Sequence, residues 1–102
     1  MRLLRQSDNA KYQYTLAFLG YGEECDSTVL ELTYNWDNSD YDLGNGFGHI
    51  AIGVSDIYSV CQKLVAAGAD VYRPPGPVKG GTSVIAFVRD PTGYAIELIE
   101  RN

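Results

Sequence analysis

Basic residues are scarce and scattered. Eight lysines and arginines face thirteen acidic residues, the formal charge is -5, and no basic cluster occurs anywhere. Binding nucleic acid or an anionic membrane surface needs such a cluster, so neither is expected as a partner. No apolar run approaches the roughly 20 residues that span a bilayer, and no signal-peptide core is present. Two cysteines cannot build a disulfide framework. Cys25 falls in a polar turn and Cys61 on the apolar side of a predicted helix, which suits a reduced cytoplasmic protein with unpaired thiols. Histidine occurs once, as His49. What remains is a chain of 102 residues, 45% apolar, enough for one domain with a modest core.

Within that length the chain repeats itself. Leu16-Ala17-Phe18-Leu19, a turn and Val29-Leu30-Glu31-Leu32 are echoed by Ile85-Ala86-Phe87-Val88, a turn and Ala95-Ile96-Glu97-Leu98. Each copy reads as a β-hairpin with one carboxylate in an otherwise apolar return strand. The second copy follows a strand and a helix that open at His49; the same offset counted back from Phe18 falls before Met1.

Local signals fill in the elements. Tyr12 to Leu19 and Thr28 to Tyr34 read as antiparallel strands, with a polar connection from Asn35 to Gly48. Ile50 to Val54 is extended. Ser55 or Asp56 can cap a helix whose apolar stripe is Ile57, Val60, Cys61, Leu64 and Val65, and Gly68 ends it. Asp70 to Arg73 is a short strand, and Pro74-Pro75-Gly76-Pro77 is expected to be a loop leading to Lys79-Gly80-Gly81. Ser83 to Val88 and Tyr94 to Ile99 form the last hairpin around Asp90-Pro91-Thr92-Gly93.

Strand alternation puts Glu31 on a face with Val29 and Thr33, Glu97 with Ala95 and Ile99, and His49 with Ala51 and Gly53. A sheet curled around a cavity would aim one imidazole and two carboxylates inward. Buried carboxylates are costly unless paired or bound to metal, and this donor set suits a divalent ion such as Zn, Ni, Co or Mn. The bland reading is a structural histidine and glutamates facing water. Glu100 lies on the opposite face and reads as a solvated charge. Lys79 is placed to close over an anion, or is an ordinary surface lysine. Asn35 offers an amide to a ligand or caps a turn. Arg2 and Arg5 are further carboxylate binders, while Trp36, Tyr34, Tyr41 and Phe47 read as packing.

Five blocks, Tyr14 to Gly22, Glu31 to Trp36, Gly48 to Ala51, Gly76 to Gly81, and Asp90 to Tyr94 running into Glu97, together resemble the glyoxalase I (lactoylglutathione lyase) family of the vicinal-oxygen-chelate superfamily. The resemblance implies an α+β fold of paired βαβββ modules with the first incomplete. Residues 1–36 would be a remnant of that first module, 37–47 a connection, and 48–102 a complete second module, all within one glyoxalase-like domain. Met1 to Arg5 is similar to the leucine- and arginine-rich strand that follows the first module's helix. The resemblance also implies a homodimer and one divalent metal, nickel or zinc foremost, held by two histidines and two glutamates. Glu31, His49 and Glu97 match three of those positions. Asn35 and Lys79 match positions that contact the glutathione part of the substrate. The implied reaction isomerises the methylglyoxal–glutathione hemithioacetal to S-lactoylglutathione, with Glu97 as base and Glu31 its counterpart. Two alternatives stand beside it: a non-catalytic, metal- or small-ligand-binding homologue, and a metal-dependent dioxygenase of the same superfamily. A dioxygenase would use two histidines and one glutamate; one histidine beside two carboxylates favours the isomerase.

Overall fold

In the computed structural model, which describes residues 1–101, the chain divides after Tyr41 into two units. The first is an antiparallel sheet of β1 (Arg2–Asn9), β2 (Tyr14–Gly20) and β3 (Leu30–Asn35), in that order. β1 is longer than the arginine- and leucine-rich stretch suggested, because an edge strand with mostly exposed side chains needs no apolar alternation.

The second unit runs β4 (His49–Val54), α1 (Ile57–Ala66), β5 (Asp70–Pro77), β6 (Val84–Arg89) and β7 (Ala95–Glu100), with sheet order β4-β7-β6-β5. β4 pairs with β7 in parallel and the other pairs are antiparallel. This is a complete βαβββ module. The first unit contributes three strands and, among the described residues, no helix, so the fold is α+β with an incomplete first module.

Helix α1 forms where the apolar stripe predicts it. Asp56, at φ +47°, accepts a hydrogen bond from the Ser59 amide at 3.2 Å, and Gly68, at φ +88°, takes the left-handed turn that ends the helix. Its buried face, Ile57 and Cys61, packs on Ala86 of β6 and Leu98 of β7, with Ile52, Val54, Val60, Leu64, Val71, Val84 and Ile96 around them. The whole core of this unit thus lies on one face of its sheet. Glu100 shares that face, and its Oε1 accepts from the Ile57 amide at 3.2 Å. It is a cap for the first turn of α1, not the solvated charge expected, because its parity with Ile96 and Leu98 points it at the helix.

The Pro74–Pro77 segment also departs from expectation: β5 continues through it, with Gly76 opposite Ile85 and Pro77 opposite Val84. Prolines are tolerated because β5 is the outermost strand and its register shifts on either side of Arg73. At the β6–β7 turn, Asp90 Oδ1 accepts from the amides of Thr92, Gly93 and Tyr94 at 2.8–2.9 Å, and Gly93 holds φ +110°. The turn chemistry is as the sequence suggests.

The internal repeat extends to a third strand. Arg5, Phe18 and Glu31 lie opposite one another across β1, β2 and β3, as Arg73, Phe87 and Glu97 do across β5, β6 and β7. A register shift sits beside the arginine in both.

Ile57 is fully buried at the centre of the core. Replacing it with alanine is expected to lower stability by about 2–4 kcal/mol, measured by urea unfolding. A loss below 1 kcal/mol would mean that the helix is not anchored there.

Candidate functional site

The second sheet has a helix on one face and polar chemistry on the other. In the β4–β7 ladder His49 stands opposite Ala95 and Ala51 opposite Glu97, so the imidazole and the carboxylate share the face away from α1. His49 Nε2 and Glu97 Oε2 are 3.0 Å apart. Against an ionised carboxylate the ring nitrogen is the donor. The Glu97 side chain is 17% exposed and that of His49 is 42% exposed.

Phe87, opposite Glu97 on β6, walls this pair. Its ring meets the imidazole edge-on, with centroids 5.2 Å apart and planes at 89°. Tyr72 lies 5.9 Å beyond Phe87, and the Arg89 guanidinium stacks 4.2 Å over Tyr72. The imidazole is therefore braced by an aromatic ring, and it fixes one oxygen of the carboxylate.

Glu31 belongs to the first unit, where it is exposed on β3 opposite Phe18. The Arg5 guanidinium lies 3.6 Å over the Phe18 ring and donates a forked pair of hydrogen bonds to Glu24 at 2.7 and 2.9 Å. Arg2 likewise pairs with Glu23. Both arginines thus already have carboxylate partners within the chain. The Arg5 hydrogen bond holds the Glu24 carboxyl below its ordinary value, and the same bond, with a smaller contribution from Glu31, raises Arg5. Asn35 ends β3 on the Glu31 face, and its Nδ2 donates to the Tyr41 hydroxyl at 3.4 Å. Trp36 is a packing residue: its indole donates to Thr15, which donates to Asp8.

Lys79 is exposed at the tip of the β5–β6 hairpin, in a loop closed by Val78 N–H donating to Ser83 O at 2.8 Å. Arg73, which the sequence marked only as a strand end, organises the base of this loop. Its guanidinium donates to four carbonyls, those of Pro74, Gly76, Pro77 and Ile85. The available signal was the run of prolines after it, which leaves backbone acceptors short of donors.

Of the three candidate ligands, the structure joins His49 and Glu97. Among the described residues no group of three or more His, Cys, Asp and Glu side chains is arranged to hold a metal. The pair nonetheless fits a shared ion. Donors bound about 2.0–2.2 Å from one metal in adjacent positions stand about 3 Å apart, and imidazole with carboxylate is a borderline-to-hard set.

The sequence profile of the Glyoxalase/Bleomycin resistance protein/Dioxygenase superfamily matches residues 1–98. The chain is 63% identical over 100 residues to a probable lactoylglutathione lyase of Vibrio cholerae, covering 98% of this chain and 72% of that protein. It is 56% identical over 101 residues to a lactoylglutathione lyase of Neisseria meningitidis, covering 99% and 73%. It superposes on glyoxalase I from Zea mays with a TM-score of 0.92 at 49% identity, covering 98% of this chain but 36% of the maize chain. For the trypanothione-dependent glyoxalase I of Leishmania major the TM-score is 0.78 at 41% identity, covering 97% and 68%.

Because the folded chain holds Glu24 below its ordinary value, the Arg5–Glu24 pair stabilises the fold above that value and ceases to as the pH falls through the lowered one. In thermal melts, Glu24→Gln is expected to lie slightly below the parent at neutral pH, with the gap closing below about pH 4 and in high salt. A gap that widens on acidification would refute the pairing.

Proposed function

The chain belongs to the glyoxalase/bleomycin resistance protein/dioxygenase superfamily, and on that premise we propose that it isomerises the methylglyoxal–glutathione hemithioacetal to S-lactoylglutathione. The observation that carries this reading is the 3.0 Å His49–Glu97 pair against the Phe87 ring. The identities to lactoylglutathione lyases support the substrate class.

His49 and Glu97, with Glu31 as a further ligand, would hold one divalent ion; nickel or zinc suits the set best, and cobalt or manganese is compatible. When bound, the ion supplies Lewis acidity that offsets negative charge developing on the two substrate oxygens. Glu97 accepts the proton from the carbon of the hemithioacetal that bears it and returns it to the neighbouring carbon, while the hydroxyl proton of the first carbon passes to the oxygen of the second, so the isomerisation consumes no external acid or base. Glu31 is the counterpart carboxylate. With no ion bound the imidazole N–H would hold Glu97, and with an ion bound both side chains would turn to it, the Phe87 ring bracing the imidazole from one side. Asn35 offers its amide and Lys79 its ammonium to the glutathione portion. The working unit is a homodimer, and residues 48–102 act as its complete βαβββ module, with 37–47 as the connection. Unpaired Cys25 and Cys61 suit the reduced cytoplasm, where glutathione is abundant.

A second reading is a homologue that binds metal or glutathione without turnover, for which the His49–Glu97 pair alone would supply two ligands. The purified chain, supplied with nickel or zinc and the preformed hemithioacetal, separates the two. We expect S-lactoylglutathione to form, to stop on chelation, and to fall about 10²- to 10⁴-fold in Glu97→Gln. Metal and glutathione binding by calorimetry with no thioester formed under any of these ions would establish the binding homologue instead.

A further inference from the structure

Among the described residues, Arg73 forms no ion pair with a carboxylate. Its Nη1 donates to Ile85 O at 2.6 Å, Gly76 O at 2.9 Å and Pro74 O at 3.1 Å, and its Nη2 donates to Pro77 O at 3.0 Å. Three of these carbonyls belong to the segment just after it, and the fourth to the facing strand β6. Residues 74, 75 and 77 are prolines and bring no backbone N–H to the ladder, and the register is broken on both sides of Arg73. Nη1 has two hydrogens, so one of them is shared between two of its three carbonyls while Nη2 reaches the fourth; a lysine ammonium, a single nitrogen, cannot stand at both positions.

The gripped segment ends at Pro77, and the loop that carries Lys79 begins at the next residue. That loop is closed by only two backbone hydrogen bonds, Val78 N–H to Ser83 O and Gly81 N–H to Val78 O. The loop that carries Lys79 thus starts from the residue at which the grip of Arg73 ends.

We propose that Arg73 is a positioning residue: its guanidinium replaces the missing ladder donors of the Pro74–Pro77 segment and so fixes the Val78–Ser83 loop with Lys79 aimed at an anionic group of the thiol substrate. The aim of Lys79 rests on the functional reading above; the latch itself does not.

Two measurements test it. Amide hydrogen exchange in Arg73→Lys and Arg73→Gln reads the latch without activity: exchange at Val78 and Gly81 should quicken about tenfold or more while Gly93, in the Asp90 turn, keeps its protection. Unchanged exchange at Val78 and Gly81 would overturn the proposal, as would equal quickening at Gly93. Steady-state kinetics on the metallated enzyme read the consequence. Arg73→Lys should raise KM about tenfold with kcat within twofold, and Arg73→Lys combined with Lys79→Ala should be no worse than Lys79→Ala alone. Additive losses would overturn the link to Lys79. Should the parent chain turn over no hemithioacetal, the isomerase reading falls. Calorimetry with S-methylglutathione then replaces kinetics, with the same non-additivity expected in affinity and additivity again decisive against the link.

Discussion

The pairing of β4 with β7 is the constraint on which the second unit's chemistry depends. It is the one parallel ladder in that sheet, and α1, β5 and β6 intervene in sequence between its two strands. Side chains alternate with a period of two, so a slip of one residue in β7 would send Glu97 into the helix-covered face and bring Ile96 beside the imidazole. What prevents the slip lies on the other side of the sheet. Leu98 is packed beneath Ile57 and Cys61, and Glu100 is hydrogen-bonded to the start of α1. An apolar core and a helix cap therefore hold two polar groups within hydrogen-bonding distance on the surface opposite.

The same dependence explains which parts of the molecule could be read from its residues. Glu97 and His49 were legible because both sit in strands with strong apolar alternation, where parity alone assigns a face. Helix α1 was legible from its stripe, its cap and Gly68. The residues alone do not carry β1 through Asn9, since Gln6, Ser7 and Asp8 are exposed on an edge, Asn9 is polar, and the four leave no apolar pattern. Proline normally argues against a strand, so the residues alone end β5 at Arg73, and its outermost position reverses that argument. The role of Glu100 is not legible from parity alone: its partner is a backbone amide that appears only once the helix is placed.

Duplication has preserved register more strictly than contact. Arginine, phenylalanine and glutamate stand opposite one another in both units, yet the two arginines do different things. Arg5 lies flat on its phenylalanine and is forked to Glu24, whereas Arg73 turns to backbone carbonyls and leaves Tyr72 to neighbour Phe87. The residues that follow account for the difference. After Arg5 the strand is free of proline and keeps its own ladder; after Arg73 three prolines create a local demand for donors that a guanidinium can meet.

Proline in β5 has one more consequence. An outermost strand normally presents a row of alternating donors and acceptors that a foreign strand can adopt as its template. Along the Pro74–Pro77 stretch of β5 only Gly76 retains an N–H, and the carbonyls of Pro74, Gly76 and Pro77 are already engaged by a side chain of the same strand. A flank so poor in free hydrogen-bonding groups resists runaway cross-β stacking.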